Sequence, residues 1–485
     1  MSEPVKISEL MESSGVGFGT SGARGTVVAM SNDVCYAYTR AFIMALEQEN
    51  RIQYGDVIAL SGDLRSSTPR ILVAVTRAVM DAGYRVDYIG RLPSPALVYY
   101  AMQRNNASIM VTGSHIPDDR NGIKFNRPDG EILKEDEQLI KQQIVILPES
   151  LADSDMSLLS EINSDAALLY KSRYLDFFPH LCLQGMHVGV YQHSGVGRDI
   201  LADILQSLGA KVTCLARSES FIPVDTEAIR DEDVILARKW SEENTFDAIV
   251  STDGDADRPL IADETGCWLR GDIVGVICAH YLGANSVVTP VSSNTAVESC
   301  GWFENVSRTQ IGSPYVIEQM NKLVGGSNIV LGYEANGGVL TASDISISGR
   351  VLKALPTRDA LLPILAVLIS AKGQGVSISE LLSFLPHRYT ASGRLQEFPT
   401  DKSRARIKLL IENESEINKA FESCCGKMSK MDTTDGLRII FENNEIIHLR
   451  PSGNAPELRC YNEASTMERA EELNQLCLQI LSKWR

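Results

Sequence analysis

"DVIALSGDLRSSTPRILVAVTRAVMDAGYRVDYIG", residues 56–90, decides the fold. "DVIALSGD" is a short apolar run ending in Ser-Gly-Asp and reads as a strand. "TPRILVAVTRAVMDAG" reads as a helix with Pro69 near its start, where a missing N–H costs nothing, and "YRVDYIG" as the next strand. Outward from there, "SPALVYYAMQRN" is a further helix and "ASIMVTGSH" a further strand. This alternation of short apolar runs with helical patterns marks α/β layering.

The rhythm restarts at "MHVGVYQH", with a "GVG" turn, the helix "RDILADILQSLG", then "AKVTCLA", "EDVILARKW" and the strand "FDAIVSTDGD". A third round follows in "DIVGVICAHYLG", "SVVTPV", "NVSRTQIG", "PYVIEQMNKLV" and "NIVLGYEANGG". The rounds share a layout rather than residues. The polar, acidic "LPESLADSDMSLLSEINSD" reads as a linker between the first two. Beyond "DALLPILAVLISAKGQG" the pattern changes: "KSRARIKLLIENESEINKAF" and "MERAEELNQLCLQILSKW" are helical and flank a hairpin-like "DGLRIIFENNEIIHLRPSG". The expected fold is α/β, with three α/β domains of similar layout (1–155, 156–265, 266–375) and a smaller C-terminal α+β domain (376–485) around a central cleft.

With 485 residues, 44% of them hydrophobic and 22% charged, the composition is that of an ordinary globular chain too long for one core. No apolar run approaches the roughly 18 residues of a membrane span, and no secretory signal is apparent at the N-terminus. The ten cysteines lack metal-ligand or disulfide-framework spacing, so a cytoplasmic location is expected. A formal net charge of −16 argues against nucleic-acid or membrane partners, yet leaves room for a few cations focused on a small anionic substrate.

In open α/β sheets ligands gather beyond the carboxyl ends of strands, which gives "TGSH", "TDGDAD" and "GYEANGG" a shared address. The first loop carries Ser114 and His115, with Lys124 close behind. In the second, Asp253, Asp255 and Asp257 alternate after a strand and offer hard carboxylate ligands of the kind Mg2+ takes, although Asp/Gly turns are common without a metal. Arg258 beside them could hold phosphate oxygens. In the third, running from Gly332, Glu334 and Asn336 are natural partners of sugar hydroxyls, or simply turn residues.

Three further stretches are open to both readings. "FGTSGARG" offers Arg24 on a glycine-rich loop, where it could pair with a phosphate, and "GDLRSSTP" likewise offers Arg65, beside hydroxyls that capping of a helix explains equally well. "LRPSGNAPELR" gathers Arg450, Ser452, Gly453, Asn454 and Arg459, a donor set suited to a phosphate dianion or to an ordinary hairpin turn. "QHSGVGRDI" lacks a complete dinucleotide fingerprint and reads as a tight turn.

Taken in order, "FGTSGARG", "TGSHIPDDRNGIKF", "DGDADR", "GYEANGG" and "RPSGNAPELR" resemble the α-D-phosphohexomutase superfamily of phosphoglucomutases, phosphomannomutases and phosphoglucosamine mutases. The resemblance runs from residue 18 to residue 459. It implies a phosphoryl group carried on Ser114 and Mg2+ bound by that group with Asp253, Asp255 and Asp257. Arg24, His115, Lys124 and Arg258 would surround the transferring phosphate. Gly332, Glu334 and Asn336 would form the sugar site, and Arg450, Ser452, Gly453, Asn454 and Arg459 would clamp the other phosphate. The implied reaction interconverts hexose 6- and 1-phosphates, with a hexose 1,6-bisphosphate as intermediate and activator, in a monomer or homodimer.

Departures from the family's usual loops are Gly113 and Ile116 for Ala and Asn, and Ala335, Asn336 and Gly338 in a loop that commonly carries Met, Ser and His. In the last loop Asn454 and Ala455 stand where Thr and Glu are common. The "GSHIP" and "EANGG" variants look most like the bacterial phosphomannomutase-type members and point to mannose phosphates, with glucose and glucosamine phosphates as alternatives. A non-catalytic sugar-phosphate binder and a serine hydrolase compete from other classes. The latter is disfavoured because Ser114 lacks G-x-S-x-G.

Overall fold

Strand Val57–Gly62, helix Thr68–Asp81 and strand Arg85–Tyr88 follow one another as the opening stretch predicts. The computed structural model describes residues 4–19, 22–149, 156–159, 161–326, 328–452 and 456–484. Val57–Gly62 lies between two parallel neighbours, Arg85–Tyr88 and Ala107–Val111, and is buried from Ile58 onward. A strand covered on both faces reads as a continuous apolar run, not as an alternation. Pro69 sits in the first turn of its helix, which buries Ile71, Leu72, Val75, Ala78 and Val79.

The shared layout of the three rounds is topological. In the first sheet the order Arg85–Tyr88, Val57–Gly62, Ala107–Val111, Arg120–Arg127 comprises three parallel strands and one antiparallel return. The same arrangement recurs as Lys211–Arg217, His187–His193, Ala248–Thr252, Pro259–Ala262. It recurs again as Asn305–Thr309, Ser286–Pro290, Val330–Tyr333, Val339–Thr341. The loop between third and fourth strands carries Ser114 in the first sheet, the aspartates in the second and Glu334 in the third. Three equivalent hairpin loops therefore leave the carboxyl ends of three equivalent strands.

The first sheet is extended by Gly17–Phe18, Gly22–Thr26 and Gly130–Glu131, and the third by Leu355–Asp359. The C-terminal sheet is antiparallel throughout, in the order Tyr389–Leu395, Leu458–Ala464, Ile446–Pro451, Leu437–Phe441, Met428–Asp432. One apolar core reaches from Ala96 to Leu385 and joins the second and third sheets to helix Ser94–Met102; a separate core, Phe398 to Leu481, belongs to the C-terminal sheet. Among the described residues no helix is long and apolar enough to cross a membrane.

Two local readings are refined. "KSRARIKLLIENESEINKAF" is two helices, Thr400–Glu412 and Glu414–Cys425, because Asn413 adopts an extended backbone and caps the second by accepting from Ser415 N at 3.2 Å. The polar segment read as a linker is docked at its end: Asn163 N donates to Tyr88 O at 2.9 Å and its Nδ2 to the Tyr100 hydroxyl at 2.8 Å.

Candidate active site

Ser114 is held in a backbone conformation that L-residues seldom adopt, with φ of 56°. Its N–H donates to Thr112 Oγ1 at 2.8 Å, and its carbonyl accepts from Arg65 Nη2 at 3.0 Å. Arg65 is 1% exposed and is consumed by this bracing. It also donates to the carbonyls of Ile116, Pro117 and Arg120 at 2.5, 2.7 and 3.1 Å, and its Nε to Asp63 Oδ2 at 3.1 Å. Asp63 in turn accepts from Thr68 Oγ1, Thr112 Oγ1 and Gly113 N. The phosphate-binding option for Arg65 is thereby closed, and so is the capping option for Ser67, which makes no side-chain cap bond. Gly113 has its reason too: a Cβ there would lie 2.6 Å from the Arg65 guanidinium carbon. Replacing Arg65 by methionine leaves Asp63 buried without its cation and is expected to cost about 3 kcal/mol of stability. Urea unfolding reads this directly, and a loss below about 1 kcal/mol would contradict the bracing role.

The aspartate loop closes onto that serine. Ser114 Oγ donates to Asp253 Oδ2 at 2.5 Å, while Asp253 Oδ1 accepts from the N–H groups of Asp257 and Arg258 at 3.2 and 3.3 Å. One oxygen of each of Asp253, Asp255 and Asp257 lies within 4.8 Å of the others, and all three residues are buried. Asp255 Oδ2 accepts from Ser94 Oγ and Lys124 Nζ at 2.5 and 2.6 Å, and Asp257 Oδ2 from Lys124 Nζ at 2.5 Å. The other oxygens, Asp255 Oδ1 and Asp257 Oδ1, are buried with no hydrogen-bond partner. Burial, and then the neighbouring Asp255 and Asp257, push the Asp253 carboxyl well above the usual range. The opposite holds for Asp257, where burial is outweighed by Arg358, Lys124 and Arg258. Three converging carboxylates with two orphaned oxygens fit a hard divalent cation of the Mg2+ type. The "GVG" turn is structural, as read: Val196 N donates to Gly254 O at 3.1 Å and supports the metal loop.

Cations crowd the same place. Gly22 pairs with Lys124 and Arg24 with Gly122 across adjacent strands, which brings Arg24 and Lys124 onto one face. The Arg24 guanidinium is pushed down to about 10 by burial, then by Arg258 and Arg358, against the pull of Asp255 and Asp257. Lys124 stays fully charged because Asp255 and Asp257 outweigh its burial. His115 Nδ1 lies 3.2 Å from Ser114 Oγ, and burial, with Arg258 and Arg24, keeps the ring neutral. Arg24, His115, Lys124 and Arg258 thus share one electrostatic neighbourhood around Ser114.

Glu334 and Asn336 are buried on the third loop, where Asn336 Oδ1 accepts from Gly338 N at 2.9 Å and so shapes its own turn. Gly332 ends up inside strand Val330–Tyr333, where a Cβ would lie 2.3 Å from Met320 Sδ, so its bare face packs against helix Ser313–Leu323. Arg450 and Arg459 stand directly opposite on neighbouring strands, with Arg450 Nε 2.8 Å from Asp435 Oδ2 and Ser452 N donating to Glu457 O at 2.8 Å. Gly453 and Asn454 lie outside the described residues.

Sequence reasoning missed Ser94, Glu227 and Arg358. Glu227 lines a pocket with Arg270, Ala335, His448 and Tyr461. Its carboxyl is pushed up by burial, and its charge reaches Arg459 and Tyr461 of the C-terminal sheet. Thr226 Oγ1 beside it donates to Asn336 O at 2.9 Å. None of the three lies on a glycine-rich strand end, so no local signal marked them.

Comparison with known proteins gives the family. Models of the phosphoglucomutase/phosphomannomutase family match residues 15–146 (alpha/beta/alpha domain I), 172–266 (domain II), 270–389 (domain III) and 403–478 (C-terminal domain). A phosphomannomutase of Salmonella muenchen is 45% identical over 462 residues, covering 95% of each chain. A phosphomannomutase of Sinorhizobium fredii is 44% identical over 472 residues, 96% of this chain and 98% of that one. The crystal structure of a putative phosphomannomutase from Thermus thermophilus superposes with a TM-score of 0.74 at 19% identity, covering 99% of this chain and all of the other. The four matched domains and the near full-length relatives establish that this chain belongs to the phosphoglucomutase/phosphomannomutase family.

Proposed function

We propose that the chain interconverts mannose 6-phosphate and mannose 1-phosphate, with Ser114 as the phosphoryl carrier and mannose 1,6-bisphosphate as both intermediate and activator. The observation that carries the chemistry is Ser114 Oγ at 2.5 Å from Asp253 Oδ2, inside a buried triad of carboxylates. The choice of sugar follows the two relatives at 45% and 44% identity, both phosphomannomutases.

In the first transfer a sugar hydroxyl attacks the phosphorus on Ser114. The P–O bond to the serine breaks, a P–O bond to the sugar forms, and the proton given up by the sugar hydroxyl ends on the departing serine oxygen. The bisphosphate then turns end over end, and the second transfer returns the other phosphate to Ser114. Neutral His115 would donate from Nδ1 to the serine oxygen as it departs, whereas charged Lys124 and the guanidinium groups of Arg24 and Arg258 would stabilise the spread negative charge. Asp253, Asp255 and Asp257, with the serine phosphate, would hold Mg2+, which would supply further charge neutralisation. Glu334 and Asn336 would sort the hydroxyls, and Arg450, Ser452 and Arg459, with Gly453 and Asn454, would grip the phosphate that is not reacting. Free thiols at all ten cysteines suit a reducing cytoplasm.

A panel of mannose, glucose and glucosamine 1-phosphates, primed with a trace of the hexose bisphosphate, tests the reading. Mannose 1-phosphate is expected to give the highest kcat/KM, by about tenfold or more. Equal turnover of glucose 1-phosphate would overturn the mannose preference. Binding without turnover of any of them would indicate a non-catalytic sugar-phosphate binder.

A further inference from the structure

Arg358 lies on strand Leu355–Asp359, away from the loops that carry the chemistry, and is 1% exposed. Its Nε and Nη2 both donate to Asp257 Oδ2, at 3.1 and 2.8 Å, and its Nη1 donates to Glu334 Oε2 at 2.8 Å. Nη1 also donates to Ser313 Oγ at 3.1 Å, and Ser313 Oγ donates to Glu131 Oε2 at 2.6 Å. Thr357 Oγ1 donates to the second oxygen of Glu131 at 2.6 Å. One planar fork therefore bridges the metal loop and the sugar loop, and it is backed by a carboxylate of the first sheet.

Two further details show what the fork does. Arg358 and Lys124 both use Oδ2 of Asp257, which leaves the buried Oδ1, free of hydrogen bonds and 3.7 Å from Arg258 Nε, as the oxygen turned to a cation. Gly338 makes the arginine possible, since a Cβ there would lie 2.8 Å from Arg358 Cδ and 2.9 Å from Arg358 Cβ. That is the position where the family's sugar loop commonly carries histidine. A histidine at 338 and Arg358 compete for one volume, so the glycine and the arginine form a matched pair.

We infer that Arg358 is a positioning residue that sets Asp257 for the metal and Glu334 for the sugar in a single geometry. This rests on the mutase reading above for its sugar half only. The test uses the full chain with Arg358→Lys and Arg358→Gln, with folding checked by circular dichroism. Mn2+ binding is titrated by electron paramagnetic resonance without substrate, and steady-state kinetics are run on mannose 1-phosphate.

Arg358→Gln is expected to weaken Mn2+ binding at least about tenfold and to lower kcat/KM about 100-fold. Arg358→Lys keeps a charge but reaches only one carboxylate. It should hold Mn2+ within about threefold while KM rises about tenfold. Mn2+ affinity and KM within twofold of the parent in both variants would overturn the inference. So would equal losses in both variants, which mark a merely structural role. If Arg358→Gln does not fold, Arg358→Lys decides alone: the split between Mn2+ affinity and KM upholds the inference, and any other pattern overturns it. A parent chain inactive on every hexose phosphate defeats the mutase reading instead, and the Mn2+ titration of Arg358→Gln, or of Arg358→Lys should the former not fold, then decides the metal half.

Discussion

Replacing Ser114 by alanine is expected to lower turnover by at least about four orders of magnitude while leaving the fold intact. The hydroxyl is the only part of the residue that the proposed chemistry uses. The backbone conformation at 114 is imposed by Thr112 and Arg65, whose hydrogen bonds to the main chain do not need the side chain. The lost bond to Asp253 Oδ2 removes one partner from a carboxyl that burial already drives toward its protonated form, so the stability change should stay within about 1 kcal/mol. Activity is read with bisphosphate-primed mannose 1-phosphate, and intact mass follows the phosphate. The parent should carry one phosphate that the variant lacks. A variant that keeps a tenth of the parent's activity would refute the carrier role.

The second large effect belongs to Asp253→Asn, which should cost activity without costing stability. Asparagine Oδ1 can still accept from the N–H groups of Asp257 and Arg258, so the loop keeps its shape. Its amide nitrogen can neither ligate a cation nor accept the Ser114 hydroxyl. Turnover should fall about a thousandfold, the scale of losing a preorganised charge beside the reacting group. Without metal, the substitution relieves the crowding of Asp253 by Asp255 and Asp257, and the melting temperature should be unchanged or higher. The parent should gain about 2.7 kcal/mol from Mg2+ at one hundred times its dissociation constant, and the variant should gain much less. Differential scanning fluorimetry with and without Mg2+ separates these arms. An equal Mg2+-induced rise in both proteins would remove Asp253 from the ligand set.

Much of the fold was legible because its signals are local. The strand–helix–strand grammar of residues 56–90 appears in the structure with the helix beginning at Thr68, and the restarts near residues 187 and 271 correspond to the second and third sheets. The division of the Asn413 region into two helices was not legible, because the apolar pattern runs through it and only the backbone turn interrupts it. Ser114, the aspartates and Glu334 stood out because each follows an apolar strand and a glycine or polar turn. Arg65 drew notice for the wrong reason. Its task is set by carbonyls 49 to 55 positions away, and nothing beside it announces them.

By itself the sequence determined that the chain is layered α/β with a different C-terminal unit. It also singled out the loops of Ser114, of the three aspartates and of Glu334. Only the tertiary structure decided which of these groups touch. Ser94 meets Asp255 across 161 positions, and Arg358 meets Asp257 across 101 and Glu334 across 24. The loops owe their existence to short-range propensity, whereas the hydrogen-bond partners of a buried side chain are fixed by how separate sheets pack. That packing made Arg65, a candidate phosphate partner, into a loop brace, and set an unmarked arginine between Asp257 and Glu334.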